Sequence, residues 1–174
     1  FDLTLEIPKF FFGLLILAWM SKRTALKPTA DKTFKGVLWA IPCSAALMLP
    51  AVLTGFARVD FGLAPYSILW MANNLLLVCW GEEMFFRGYV QRELTERLSK
   101  RAGGQWIALG LTVVIFGLAH FRGGPTYMGL SALAGVFFGL SYRSANIPAA
   151  VTTHFLLNLT HFVAFSYPAL LQPK

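Results

Sequence analysis

The chain has 174 residues, 56% of them hydrophobic and 13% charged, with a mean hydropathy of +0.60. Soluble domains carry about 25% charged residues, so this composition excludes an ordinary soluble protein and predicts one integral-membrane domain over residues 1–174, an all-α polytopic transmembrane helix bundle. The net charge of +7 gathers in two loops rather than along one basic face, which argues against nucleic acid as a partner and for membrane orientation.

About six spans are expected on a criterion of ~17–25 largely apolar residues each. The first is the short run Ile7 to Met20. The chain begins with Phe1, which leaves room for a missing upstream segment, and no signal peptide with a small-residue cleavage site is visible. The second is Gly36 to Thr54, with Pro42 and Pro50 expected to bend it. The third starts near Pro65, runs past Glu82 and Glu83 and continues as the amphipathic stretch Tyr89 to Leu98. The fourth is Trp106 to His120. The fifth is Tyr127 to Tyr142, where Gly129, Gly135 and Gly139 offer small faces for close helix contact. The sixth is Ile147 to Phe165. There is no internal repeat and no low-complexity segment.

Loop charges orient these spans. Lys22, Arg23, Lys27, Lys32 and Lys35 lie between the first and second, and Arg92, Arg97, Lys100 and Arg101 between the third and fourth. By the positive-inside rule both loops are cytoplasmic. Arg143, between the fifth and sixth, falls on the same side. The alternate loops are poor in basic charge, so both chain ends are expected outside. Trp19, Trp39, Trp70, Trp80 and Trp106 fall near proposed span ends or in their outer turns, as interfacial aromatics often do. Cys43 and Cys79 show no metal-binding spacing and read as small buried hydrophobes, with neither a disulfide nor a metal.

Ionisable residues in apolar segments are costly and usually face a protein interior or a wet cavity. Three groups stand out: Glu82-Glu83-x-x-x-Arg87, Phe116-x-x-x-His120 and His154-x-x-x-Asn158. Adjacent helical residues point about 100° apart, so Glu82 and Glu83 cannot share one role. Glu83 and Arg87 stand at the i, i+4 spacing of a helical ion pair. That leaves Glu82 as the unpaired carboxylate, suited to general-base work on water. His154 and Asn158 project from one face and can present an imidazole and an amide N–H to one point, as an oxyanion requires. His161 lies near the same face, and a hydrogen-bonded His154–His161 pair is an alternative. Phe116 is one turn before His120 and reads as core packing or as a barrier to water.

A hairpin turning near Arg101 to Gly104 puts Glu82 and His120 at similar depth, each roughly 24–29 Å from the turn at 1.5 Å per residue. His154 fits less well. It lies about 10 Å beyond the start of the sixth span, so either that helix starts deeper or the turn at 101–104 projects into the cytoplasm.

The motifs GEEMFFRGYVQREL at Gly81 to Leu94, FGLAH at Phe116 to His120 and HFLLN at His154 to Asn158, together with the glycine-bearing helix Gly129 to Tyr142, resemble the CAAX protease and bacteriocin-processing family. This is the CPBP or ABI family of glutamic intramembrane proteases, related to the type II CAAX prenyl endopeptidases. The similarity spans roughly Trp80 to Thr160, within a catalytic core of about 65–165. It implies that Glu82 activates the attacking water, that His120 positions the water or shuttles its proton, and that His154 and Asn158 stabilise the oxyanion. Glu83 and Arg87 would hold the motif helix. It further implies a membrane-anchored or hydrophobic peptide or protein substrate, the lipid bilayer as partner, and a multi-pass protein, expected in a prokaryotic cell (inner) membrane. No cofactor is expected, although Glu and two His residues also form a conceivable zinc set; Asn158 is a poor zinc ligand. Two other readings use the same residues: a non-catalytic scaffold or immunity protein, and a proton-coupled transporter. The lack of an internal repeat weighs against the second.

Overall fold

The computed structural model describes residues 7–20, 29–63 and 65–166. Lys22, Arg23 and Lys27, in the loop expected to be cytoplasmic, lie outside the described residues, as do both chain ends. Helix α1 is Ile7–Met20 and α2 is Ala30–Leu53. The second helix starts six residues before the expected Gly36 and runs through Pro42 and Pro50. Its first turns are polar, so an apolar window overlooks them. Thr29 caps it, its side chain accepting from Lys32 N, and Asp31 pairs with Lys35 at 3.1 Å. Lys32 and Lys35 are therefore on a helix and not in a loop.

Helix α3 runs without a break over residues 67–97, as expected of the third span and its amphipathic continuation. Two stretches within it, Asn74–Cys79 and Met84–Gln91, are closed by π-type i→i+5 bonds. A single α turn, Trp80–Glu83, separates them and carries both glutamates. The reversal after α3 requires glycine twice. Gly103 has φ 72°, and a Cβ on Gly104 would collide with the Leu98 carbonyl oxygen. Helix α4 is Gly104–Ala119, and a 3₁₀ turn, Phe121–Gly123, follows it.

The helical run Gly124–Ala164 is two rods, α5 over residues 124–144 and α6 over residues 147–164, broken at Ala145 and Asn146. The Ser141 and Thr153 hydroxyls are 2.7 Å apart, and the Phe138 and His154 rings stack at 4.3 Å. In a straight helix sixteen residues span about 24 Å, so the chain must fold back on itself. Asn146 takes φ 72° with ψ −167°, a region normally kept for glycine, and its side chain accepts from Ile147 N at 3.0 Å at the start of α6.

Six rods therefore match the six expected segments among the described residues. Two helical stretches, Ala30–Leu53 and Phe121–Ala164, are long and apolar enough to cross a bilayer, and the second is the folded pair. Ile7–Trp19 and Gly104–Ala119 are apolar but shorter. A two-residue antiparallel pair, Arg58–Val59 with Phe165–Ser166, ties the segment after α2 to the end of α6. The expected sixth span ends at Phe165, and its last residue has left the helix to make this pair.

Lipid tails are as apolar as leucine, so close packing and interhelical hydrogen bonds hold such rods together. One core joins Cys43 and Leu47 of α2, Phe86 of α3, Phe116 of α4, Phe138 of α5 and Leu157 of α6. The Thr153 hydroxyl reaches the Gly36 carbonyl at 3.0 Å, and a Cβ on Gly36 would stand 2.6 Å from the Ala149 carbonyl oxygen. Gly135 and Gly139 face α3 and α4 as expected, whereas Gly129 meets nothing within 4 Å. Its spacing resembles theirs, but its side faces away from the bundle. Trp80 also differs from its expected place. It packs against Phe10 of α1 beside the glutamate turn, not at a span end.

Candidate active site

The α turn between the two π stretches presents its carboxylates in different directions. Glu83 points into the bundle and is wholly buried, as is Arg87. Arg87 Nη1 donates to Glu83 Oε1 at 3.0 Å, and Nη2 donates to the Gly135 carbonyl at 3.1 Å. The guanidinium lies 4.6 Å from the Phe116 ring centre and 5.3 Å from that of Phe138, within cation–π range. A buried charge of this kind persists only when paired and hydrogen-bonded. The expected Glu83–Arg87 pair is thus present, held in an aromatic cage from α4 and α5.

The same Glu83 oxygen has a second donor. His154 Nδ1 stands 2.8 Å from it, and a carboxylate only accepts, so Nδ1 carries the proton. Phe138 stacks on the ring at 4.3 Å and 18°. Glu83 therefore orients His154 as well as neutralising Arg87. His154 reaches Glu83 on α3 despite the depth mismatch expected for it.

His120 ends α4. Its Nδ1 donates to the Phe116 carbonyl at 2.8 Å, which leaves the lone pair of the neutral ring on Nε2. Phe116 is buried at the centre of the aromatic group, 4.8 Å from Phe86 and 4.7 Å from His120. Asn158 Nδ2 reaches Asn74 Oδ1 at 3.3 Å and Cys79 Sγ at 3.5 Å, and Cys79 Sγ donates to the same asparagine oxygen. Cys79 is thus more than a small hydrophobe: with Asn74 it steadies the Asn158 amide.

The expectation that Glu82 is unpaired does not hold. Lys9 Nζ from α1 donates to Glu82 Oε1 at 3.0 Å. An i, i+4 rule sees partners on one helix, and this one comes from 73 residues away. A lysine inside an apolar run was the available signal.

His120 lines two cavities. The first, about 360 Å³, has Phe116, His120, His154, Asn158 and His161 in its walls, with apolar side chains from α2, α5 and α6 around them. The second, about 310 Å³, is lined by Lys9, Glu82, Phe85, Phe86 and His120 among others. The structure therefore gathers His120, His154 and Asn158 around one chamber and sets Glu82 in another, with His120 lining both. Among the described residues no three His, Cys, Asp or Glu side chains are grouped to hold a metal ion.

The chain matches the family model "Type II CAAX prenyl endopeptidase Rce1-like" over residues 63–160. No curated protein and no solved structure matches it significantly. The matched stretch holds α3, α4, α5 and most of α6, with Glu82, Glu83, Arg87, His120, His154 and Asn158; α1 and α2 lie outside it. It covers more than half of the chain, and with the motifs it encloses it establishes that the chain belongs to the Rce1-like type II CAAX prenyl endopeptidases, a family of membrane proteases.

Proposed function

We propose that the protein is an intramembrane endopeptidase in which Glu82 activates water for attack on a peptide bond of a membrane-anchored or hydrophobic substrate. The observation that carries this reading is the lining shared at His120. Glu82 and His120 line one cavity, and His120, His154 and Asn158 line the other. A water in the Glu82 cavity stands between a carboxylate that accepts its proton and an imidazole whose Nε2 can orient it. The carbonyl to be attacked would lie in the larger chamber, where His154, carrying a second proton on Nε2 while Nδ1–H stays on Glu83, would donate to the developing oxyanion, and Asn158 would turn one Nδ2–H from Cys79 Sγ to join it. Glu83 is poorly placed for the base: its side chain has no exposed surface, whereas 13% of the Glu82 side chain is exposed.

The apolar lining of the larger chamber suits an apolar stretch of substrate. The reaction as drawn uses a carboxylate, two imidazoles and an amide, and needs no metal. All six rods are read as crossing the bilayer, with the turns at 98–103 and 145–146 cytoplasmic. Arg143 stacks on Trp106 at 4.3 Å, which places the end of α5 and the start of α4 at one face.

The test compares wild type with Glu82→Gln at equal abundance in membranes. Each is given a quenched-fluorescent peptide that ends in a farnesylated cysteine and three further residues, and new peptide termini are then mapped across the membrane proteome. Cleavage by the wild type alone supports the reading. Equal cleavage by a folded Glu82→Gln protein overturns it.

A further inference from the structure

We infer that Lys9 is a positioning residue of the active site, delivered to Glu82 by a helix that lies outside the family-matched stretch. The inference rests on the reading of Glu82 as general base. A base must meet water as the anion, and an anion in an apolar segment needs a counter-charge. Arg87 cannot supply it, because its guanidinium is committed to Glu83 and the Gly135 carbonyl. Lys9 Nζ, 3.0 Å from Glu82 Oε1, can.

The placement is built by packing. A Cβ on Gly13 would come within 2.5 Å of the Trp80 ring, and one on Gly81 within 2.8 Å of the Lys9 carbonyl oxygen. Phe10 lies 5.6 Å from Trp80, and Phe12 5.5 Å from Phe85. Each helix therefore offers a glycine where the other presses on it, and the contact falls at the turn that carries the glutamates. Lys9 and Glu82 also line the same cavity as His120.

The pairing has a consequence during the reaction. Water gives one proton to Glu82, its oxygen forms a bond to the carbonyl carbon, and the carbonyl π electrons move to the oxygen, which becomes the oxyanion. Glu82 is then neutral, and Lys9 keeps its proton and its charge. The oxyanion forms in the larger chamber, which Lys9 does not line, so Lys9 acts on the carboxylate and not on the developing charge. Lys9 thus keeps the carboxylate ionised and oriented toward the water before the transfer, which is a positioning role.

The experiment uses the full chain in membranes and the same farnesylated peptide. Lys9→Met should lower kcat about tenfold or more, a step of one decade being 1.36 kcal/mol, with KM unchanged. Lys9→Arg should recover most of the loss. In thermal unfolding, Lys9→Met should lower the midpoint of the Glu82 protein but not that of Glu82→Gln, the mark of a direct coupling. Wild-type turnover by Lys9→Met overturns the inference. So does loss of activity by Lys9→Met and Lys9→Arg alike in proportion to lost folded protein, which would make Lys9 only a tether for α1. Absence of coupling overturns it whether or not the peptide is cut. Continued cleavage by Glu82→Gln is a separate outcome, since it removes the base assignment itself.

Discussion

Glu82 and Glu83 share one α turn yet serve in opposite surroundings. Glu83 is sealed, with Arg87 and His154 on one of its oxygens and an aromatic cage around its partner. Glu82 borders a cavity, and its partner is a lysine whose side chain is 40% exposed. A sealed carboxylate with an arginine and a histidine on one oxygen orients its neighbours and resists change. One that meets a cavity and a single flexible cation can exchange a proton. The 100° between successive helical residues is enough to place one carboxylate on each side of this division.

The largest expected effect falls on the open side. Glu82→Gln should lower turnover by about 10²–10⁴-fold, the usual range for a positioned general base, with thermal unfolding nearly unchanged. A variant that unfolded instead would place Glu82 with Glu83 and erase the contrast. Next is the sealed side. Arg87→Ala should cost about 3–5 kcal/mol, because it strands a buried carboxylate, and denaturation in detergent would read the loss. A normally folded Arg87→Ala protein without turnover would give Arg87 a chemical role.

Asn158→Ala tests the chamber wall. Loss of one oxyanion donor typically costs about 10²–10³ in kcat, and steady-state kinetics should show that drop with KM little altered. A change confined to KM would move Asn158 from oxyanion holder to substrate contact. The smallest expected effect is none: a chelator should leave turnover intact. Complete inhibition restored by zinc would mean that these glutamates and histidines work as ligands and that the division between open and sealed carboxylates is secondary.

Much of this site was legible from spacing. Glu83–Arg87 and Phe116–His120 obey i, i+4 neighbourhood on single helices, so pattern alone paired them, and the apolar runs marked the rods. Contacts between helices distant in sequence were not legible. Lys9 on Glu82, His154 on Glu83 and Cys79 on Asn158 depend on how rods rotate against one another, and no local period encodes that. The π stretches were hidden for a related reason. NLLLVC and MFFRGYVQ read as ordinary helix, and the extra residue per turn is settled by what the helix packs against. The α5–α6 reversal was foreseen in position. Its device, an asparagine at positive φ bonded to the start of the next helix, appears only in the backbone.

On the proposed function, the placement of His120 in the wall of two cavities would separate the traffic of the two reactants. A hydrophobic peptide approaches such a protein sideways, out of the lipid, and the larger, apolar chamber suits that route. Water would have the smaller compartment, beside Lys9 and Glu82. The enzyme then has no need to flood the peptide's compartment in order to hydrolyse it. Exclusion and hydration, opposed demands for any protease inside a membrane, are assigned to different rooms with one imidazole as the door between them.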